Sequence, residues 1–186
     1  MDRVRRPSVS LDRLEQQLLE RGFEDFRWIE AQRIAVAAWV RAKCRWGCPE
    51  YGRRAVCPPA VPDLEHCERL IGEYRDVAVI HFESGEQSAT AERERAVQMA
   101  RRLLDLERGI FLSGFRKALV LLPERCRICE SCPPDPLDCS RPVYARPSAT
   151  ALGVDVLGTV ERIGYPAELS FGKDEIVNRY AFLLVR

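Results

Sequence analysis

A length of 186 residues accommodates one compact core and little more, so a single domain over residues 1–186 is expected. The 29 basic residues nearly cancel the 28 acidic ones, which excludes a whole-molecule field that would draw the chain to nucleic acid or anionic lipid, and no apolar window approaches the roughly 20 residues of a membrane span. Positive charge at Met1-Asp2-Arg3-Val4-Arg5-Arg6-Pro7 precedes an amphipathic segment instead of an apolar signal core, so a cytoplasmic location is expected, where eight cysteines point to metal binding or catalysis and not to disulfides.

Ser10 is placed to cap a helix over residues 11–21, where Leu11, Leu14, Leu18 and Leu19 share one face and Gly22 supplies the stop. The apolar, partly β-branched run Ile34-Ala35-Val36-Ala37-Ala38-Trp39-Val40 predicts a buried strand that delivers the chain into Lys43-Cys44. After the proline-rich turn at residues 57–62, Asp63 caps a predicted helix to about Tyr74, and residues 77–82 read as a second buried strand. The longest helix is predicted over residues 89–113, with Ala96, Ala100, Leu103, Leu104, Ile110 and Phe111 at helical period and Gly114 ending the run. Residues 117–122 predict a third strand leading into a second cysteine group, so both groups are expected to follow strands. Ser148 is placed to cap a helix over residues 151–163, and residues 179–185 predict a closing strand. This order predicts an α/β fold, a single layered domain with a mixed β-sheet flanked by helices, carrying cysteine loops at about residues 43–59 and 125–142.

The second cysteine group reads Cys126-Arg127-Ile128-Cys129-Glu130-Ser131-Cys132-Pro133-Pro134, with Cys139 beyond it. Two-residue spacers let three thiolates converge from one wrapped loop onto three irons of a cubane, and a more distant fourth cysteine can close the set. Structural zinc more often takes two separated C-x2-C knuckles, so the spacing favours an iron–sulfur site, with zinc as the alternative. The first group, Cys44-Arg45-Trp46-Gly47-Cys48-Pro49-Glu50-Tyr51-Gly52 and Cys57-Pro58-Pro59, has the less diagnostic spacing C-x3-C-x8-C. Gly47 and Gly52 would let backbone amides approach a cluster, and Pro49 and Pro58 stiffen the chain after each ligand. Three cysteines leave one metal position for something else or for substrate; the alternative is one composite site shared with the second group.

Lys43, Arg45, Arg53, Arg54, Arg125, Arg127 and Arg141 flank the ligands and would favour thiolates, although arginine is abundant throughout the chain. Cys67 lies on the apolar face of a predicted helix and reads as core. His66 and His81 read as surface or packing residues, and Glu50, Tyr51 and Asp155 as polar positions near the motifs that an exposed location explains equally well.

The segments from Lys43 to Gly52, Cys57-Pro58-Pro59, the run from Cys126 to Cys139, and Arg146-Pro147-Ser148 through Gly153-Val154-Asp155-Val156 together resemble the family catalogued as domain of unknown function 2284, described as predicted metal-binding proteins. The resemblance spans residues 42–156, with the motifs in the family's order. It implies that Cys44, Cys48, Cys57, Cys126, Cys129, Cys132 and Cys139 are the metal and cofactor ligands, divided four plus three, and that Cys67 is not one of them. The chain departs from the family pattern at Glu124-Arg125, where a glycine usually precedes the first cysteine of the second group, and at Thr150, where a glutamate is usual.

Together these readings lead to the expectation of an oxygen-sensitive protein with one or two [4Fe–4S] clusters. A four-cysteine cluster would support structure or electron transfer, and a three-cysteine cluster with an open iron would serve an iron–sulfur-dependent lyase, sulfur-transfer or desulfuration step on a small-molecule substrate. The alternatives are an electron-transfer or accessory protein docking on a larger redox enzyme, and a zinc-stabilised binding module.

Overall fold

The computed structural model describes residues 11–85, 88–168 and 176–186. Four strands, β1 (Phe26–Glu30), β2 (Asp76–Ser84), β3 (Leu119–Leu121) and β4 (Val177–Leu184), form one sheet in the order β1-β2-β4-β3. Helices α1 (Leu11–Glu20) and α4 (Ala89–Leu112) cover one face. The other is covered by α3 (Leu64–Gly72), α5 (Val156–Glu161) and the segment around Ala149–Val154, with α2 (Ala38–Gly47) alongside. Among the described residues no helix is long and apolar enough to cross a membrane.

Helices on both faces explain why the central strands read as continuous apolar runs. On β2, Val77 and Val79 face α3 and α5, while Ala78 and Ile80 face α1 and α4, and all four are fully buried. Strand β4 divides in the same way: Tyr180, Phe182 and Leu184 pack on the first side and Ala181 and Leu183 on the second.

The α/β character and the single sheet are as expected, but the pairings are all antiparallel where a mixed sheet was expected. The cause is topological. Strands β2 and β3 both run antiparallel to β4, hence parallel to each other, joined by the crossover helix α4, yet β4 lies between them. The connection is a split β-α-β unit, and the helix–strand alternation shows the crossover but not the inserted strand.

Two sequence readings are corrected. The run at residues 34–40 is not a strand: Val36 makes one bridge with Val154, Ala37 N–H donates to Gly153 O (2.8 Å), and the chain then enters α2, which buries Val40. Cys44 therefore sits in the last turns of a helix, and only the second cysteine group follows a strand. The helix expected over residues 151–163 is split. Ser148 Oγ accepts from Ala151 N (3.1 Å) just ahead of a 3-10 turn at Thr150–Leu152 whose cap position is Ala149, after which Asp155 Oδ1 accepts from Gly158 N (3.0 Å) and starts α5. Gly153 makes the break, at φ 86°, where a Cβ would come within 2.3 Å of Leu64 Cδ1. The helix at residues 11–20 is present as expected, while its proposed cap, Ser10, lies outside the described residues. Strand β1, which sequence reasoning did not anticipate, is an edge strand whose Arg27 and Glu30 face solvent.

Away from the cysteines, His81 on β2 is a packing residue, as expected. Its Nδ1 lies 2.6 Å from Asp25 Oδ2 and its Nε2 2.8 Å from Asn178 Oδ1, and its ring stacks on Tyr180 at 5.0 Å. Asp25 Oδ1 also accepts from Tyr165 Oη (2.6 Å). Partial burial alone would raise the Asp25 carboxyl, but the hydrogen bonds from Tyr165 and His81, with the fields of His81 and Arg27, hold it below the usual carboxylate range. A depressed carboxyl stabilises the fold above its unfolded pKa of about 3.9, and that contribution disappears as pH falls through the lower folded value. Asp25→Asn is thus expected to reduce stability at pH 7, with the gap from wild type closing below about pH 4 in urea titrations. A gap independent of pH would contradict this.

Candidate metal centre

The two cysteine loops approach each other through contacts that no local pattern announces. Residues 48–62 form a chain of tight turns, with Tyr51 N donating to Cys48 O (3.1 Å), Gly52 N to Pro58 O (3.0 Å), Cys57 N to Arg54 O (3.1 Å) and Ala60 N to Cys57 O (2.9 Å). This folding returns Cys57 to Cys44 and Cys48 at the end of α2. Arg54 then bridges to the second loop: one arm pairs with Glu50 Oε2 at 2.7 Å and the other donates to Cys132 Sγ at 3.2 Å.

The second loop hangs from α4 by a charge network. Glu124 pairs with Arg95 (3.0 Å) and Arg127 (2.8 Å), and Arg127 also pairs with Glu92 (3.0 Å). Just upstream, Leu122 N donates to Pro147 O (2.9 Å) and Leu122 O accepts from Ala149 N (3.2 Å), a short parallel bridge that sets Ser148 beside the start of the loop. From the opposite side, Arg41 on α2 donates to Ala151 O (2.7 Å) and Pro62 O (3.2 Å), tying the first loop to the same segment.

The result is a pocket of about 220 Å³ lined by Cys44, Cys48 and Cys57, with Tyr51, Arg125 and Ser148 among its other walls. The thiols affect one another across it. Burial raises Cys57 to about 11, with Cys48, Cys44 and Cys126 adding to the rise and Arg54 opposing it. Burial likewise raises Cys44, reinforced by Cys48, and raises Cys126, reinforced by Cys132 and Cys129. Cys126 thus stands between the groups, close enough to influence Cys57 on one side and to feel Cys129 and Cys132 on the other. Cys139 follows the turn Pro136–Asp138, and among the described residues no hydrogen bond or ion pair ties it to the other six.

All seven candidate ligands are free thiols at least partly open to solvent, a soft sulfur donor set that suits zinc or iron–sulfur binding. Neutral buried thiols become ligands only on losing their protons, which a bound cation enforces, so metal loading releases protons and weakens as pH falls. Among the described residues no three His, Cys, Asp or Glu side chains converge closely enough to hold a single metal ion. Closing a centre would therefore draw the loops together, and part of the binding free energy would go into ordering them.

Several sequence readings find their place here. Cys67 is fully buried on α3, its Sγ donating to Pro62 O at 3.4 Å. Cys67→Ala is expected to leave metal content unchanged at a stability cost of about 1 kcal/mol, measured by elemental analysis and denaturant unfolding. His66 pairs with its helix cap Asp63 (2.7 Å), and Asp155 is the cap of α5. Of the flanking cations, Arg54, Arg125 and Arg127 reach the loops, whereas Lys43 lies over the Trp39 ring at 4.6 Å, and Arg45, Arg53 and Arg141 face solvent. Arg41 and Ser148 were not read as part of the site, because their contributions depend on partners more than 20 residues away in sequence.

No curated protein and no solved structure matches the chain. A family model described as "Predicted metal-binding protein" matches residues 27–185, which takes in both cysteine loops and the sheet apart from Phe26. With that match spanning nearly the whole fold, the chain belongs to the domain of unknown function 2284 family of predicted metal-binding proteins.

Proposed function

We propose that this is an iron–sulfur protein in which Cys126, Cys129, Cys132 and Cys139 hold one [4Fe–4S] cluster and Cys44, Cys48 and Cys57 hold a second with one iron open to a small ligand. The observation that carries the reading is the pocket in which three thiols share walls with the second loop, including Arg125, and with Ser148 and Tyr51. Three cysteines against four is a donor count that leaves a position for substrate. When bound, such a cluster supplies a Lewis-acidic iron toward a sulfur or oxygen atom, which suits sulfur transfer or desulfuration.

The chain's own residues do the rest. Arg54, anchored by Glu50, donates to Cys132 Sγ and so fixes that sulfur at the junction of the two loops. The Glu124, Arg95 and Arg127 network fixes the loop on which Cys126 and Cys129 ride. Ser148 Oγ accepts from Ala151 N and so keeps its own proton to donate into the pocket.

The test is electron paramagnetic resonance of protein prepared and reduced without oxygen. Titration with 2-mercaptoethanol, a small uncharged thiol, should shift the signal of one cluster and leave the other unchanged. Two unresponsive clusters would sink the open-site reading. They would favour the second one, an electron carrier or accessory protein, which the exposure of Trp46 (81 %) and Leu137 (81 %) beside the ligands also supports as a docking rim.

A further inference from the structure

Arg45, Arg53 and Arg141 face solvent, and of the cations that reach in toward the cysteine loops all but one have a partner among the described residues. Arg54 is held by Glu50 and Cys132, Arg127 by Glu92 and Glu124, and Arg41 by the carbonyls of Ala151 and Pro62. The carboxylates on the pocket wall are engaged as well, Glu50 by Arg54 and Glu124 by Arg95 and Arg127. Arg125 differs. It is the cation that lines the pocket with Cys44, Cys48 and Cys57, and it forms no ion pair or hydrogen bond with a described residue. Its buried Nε, like that of Arg54, has no acceptor, but unlike Arg54 its other nitrogens have none among the described residues either. A desolvated guanidinium donor without an acceptor is costly, so such a group in a concave site points to a ligand that completes it.

We infer that Arg125 binds the carboxylate of a small substrate whose other end reaches the open position beside Cys44, Cys48 and Cys57. This rests on the reading of that group as a centre with a free coordination position. The pocket of about 220 Å³ lies below the roughly 300–1,000 Å³ of pockets for drug-sized ligands and would have to hold the cluster as well, which leaves room for an occupant of a few heavy atoms only. A single unpaired guanidinium balances a single negative charge, and its planar fork matches a planar carboxylate through two parallel hydrogen bonds. Phosphate, with its second charge, would call for a second free cation. Tyr51 and Ser148 add hydroxyls to the same walls. The substrate class is thus a short carboxylic acid bearing a sulfur or oxygen substituent.

Two thiols of similar size separate the possibilities: mercaptoacetate, which carries a carboxylate, and 2-mercaptoethanol, which does not. Each is titrated into the anaerobic, cluster-loaded protein with paramagnetic resonance as the readout, and iron and sulfide are counted in every sample. Wild type is expected to bind mercaptoacetate at least about tenfold more tightly, the value of one hydrogen-bonded charge. Arg125→Gln should keep its iron and bind the two thiols alike, while Arg125→Lys should recover part of the preference. Equal binding by wild type, or an undiminished preference in loaded R125Q, would overturn the assignment. If R125Q cannot hold a cluster, R125K decides: loaded with a reduced preference it supports the fork, and loaded with the full preference it overturns it. Loss of the cluster from both variants would assign Arg125 to balancing thiolate charge and also overturn the proposal. A wild-type signal unmoved by either thiol would instead remove the open position, and this inference with it.

Discussion

Replacing Cys129 with Ala is expected to halve the iron and sulfide content, from about eight of each per chain to about four. Cys129 is the middle ligand of the C-x2-C-x2-C run, and its charge bears on Cys126, as does that of Cys132. Without it the remaining thiols of that loop cannot close around a cubane. The loss reaches the fold because the loop is ordered partly by what it binds. A cost of about 3 kcal/mol would lower Tm by roughly 6–12 °C in a chain of this size. Since Cys126 also stands close to Cys57, the first centre should loosen without being lost. Unchanged iron in Cys129→Ala, checked against Cys67→Ala as the neutral control, would show that the second loop is not a cluster site.

The second large effect lies outside the cysteine loops. Glu107 on α4 is 8 % exposed; it accepts from Val120 N at 2.7 Å and pairs with both Nε (3.1 Å) and Nη2 (2.6 Å) of Arg146. One carboxylate thus joins the helix to β3, which leads into the second cysteine loop, and to the Arg146–Ser148 segment that walls the pocket. Glu107→Ala strands a half-buried guanidinium and a buried backbone donor together, at a cost of about 3 kcal/mol. Glu107→Gln keeps the acceptor for Val120 and should lose less. Urea unfolding of both variants measures the difference, and a Glu107→Ala variant within about 0.5 kcal/mol of wild type would remove this anchor from the account.

How much of the molecule was legible depended on whether a residue's role is local. Buried runs such as Val77-Ala78-Val79-Ile80 and Ala181-Phe182-Leu183-Leu184 announce central strands, because both faces of the sheet are covered. The period of α4 survives among its charges because one stripe, from Ala96 to Ile110, meets the sheet. Strand β1 escaped notice because Phe26-Arg27-Trp28-Ile29-Glu30 is short, carries two charges in five residues and lies at an edge. Residues 34–40 misled because an apolar run carries no period of its own. Its Val36 end pairs with Val154 while its Ala38 end starts a helix.

The site divides in the same way. Cysteine spacing is a covenant between neighbours and shows in the sequence. The reach of Arg54 to Cys132 and the placing of Ser148 beside Leu122 are tertiary facts. Arg125 was visible as a basic residue one position before Cys126, but that it has no partner among the described residues shows only once the charges packed around it are traced.

The most direct test of the account is elemental analysis of protein purified and handled without oxygen, with iron, zinc and acid-labile sulfide measured on the same sample. Two cubane sites predict about eight iron and eight sulfide per chain and no stoichiometric zinc. Zinc alone, with neither iron nor sulfide taken up by the folded protein on reconstitution, would contradict it.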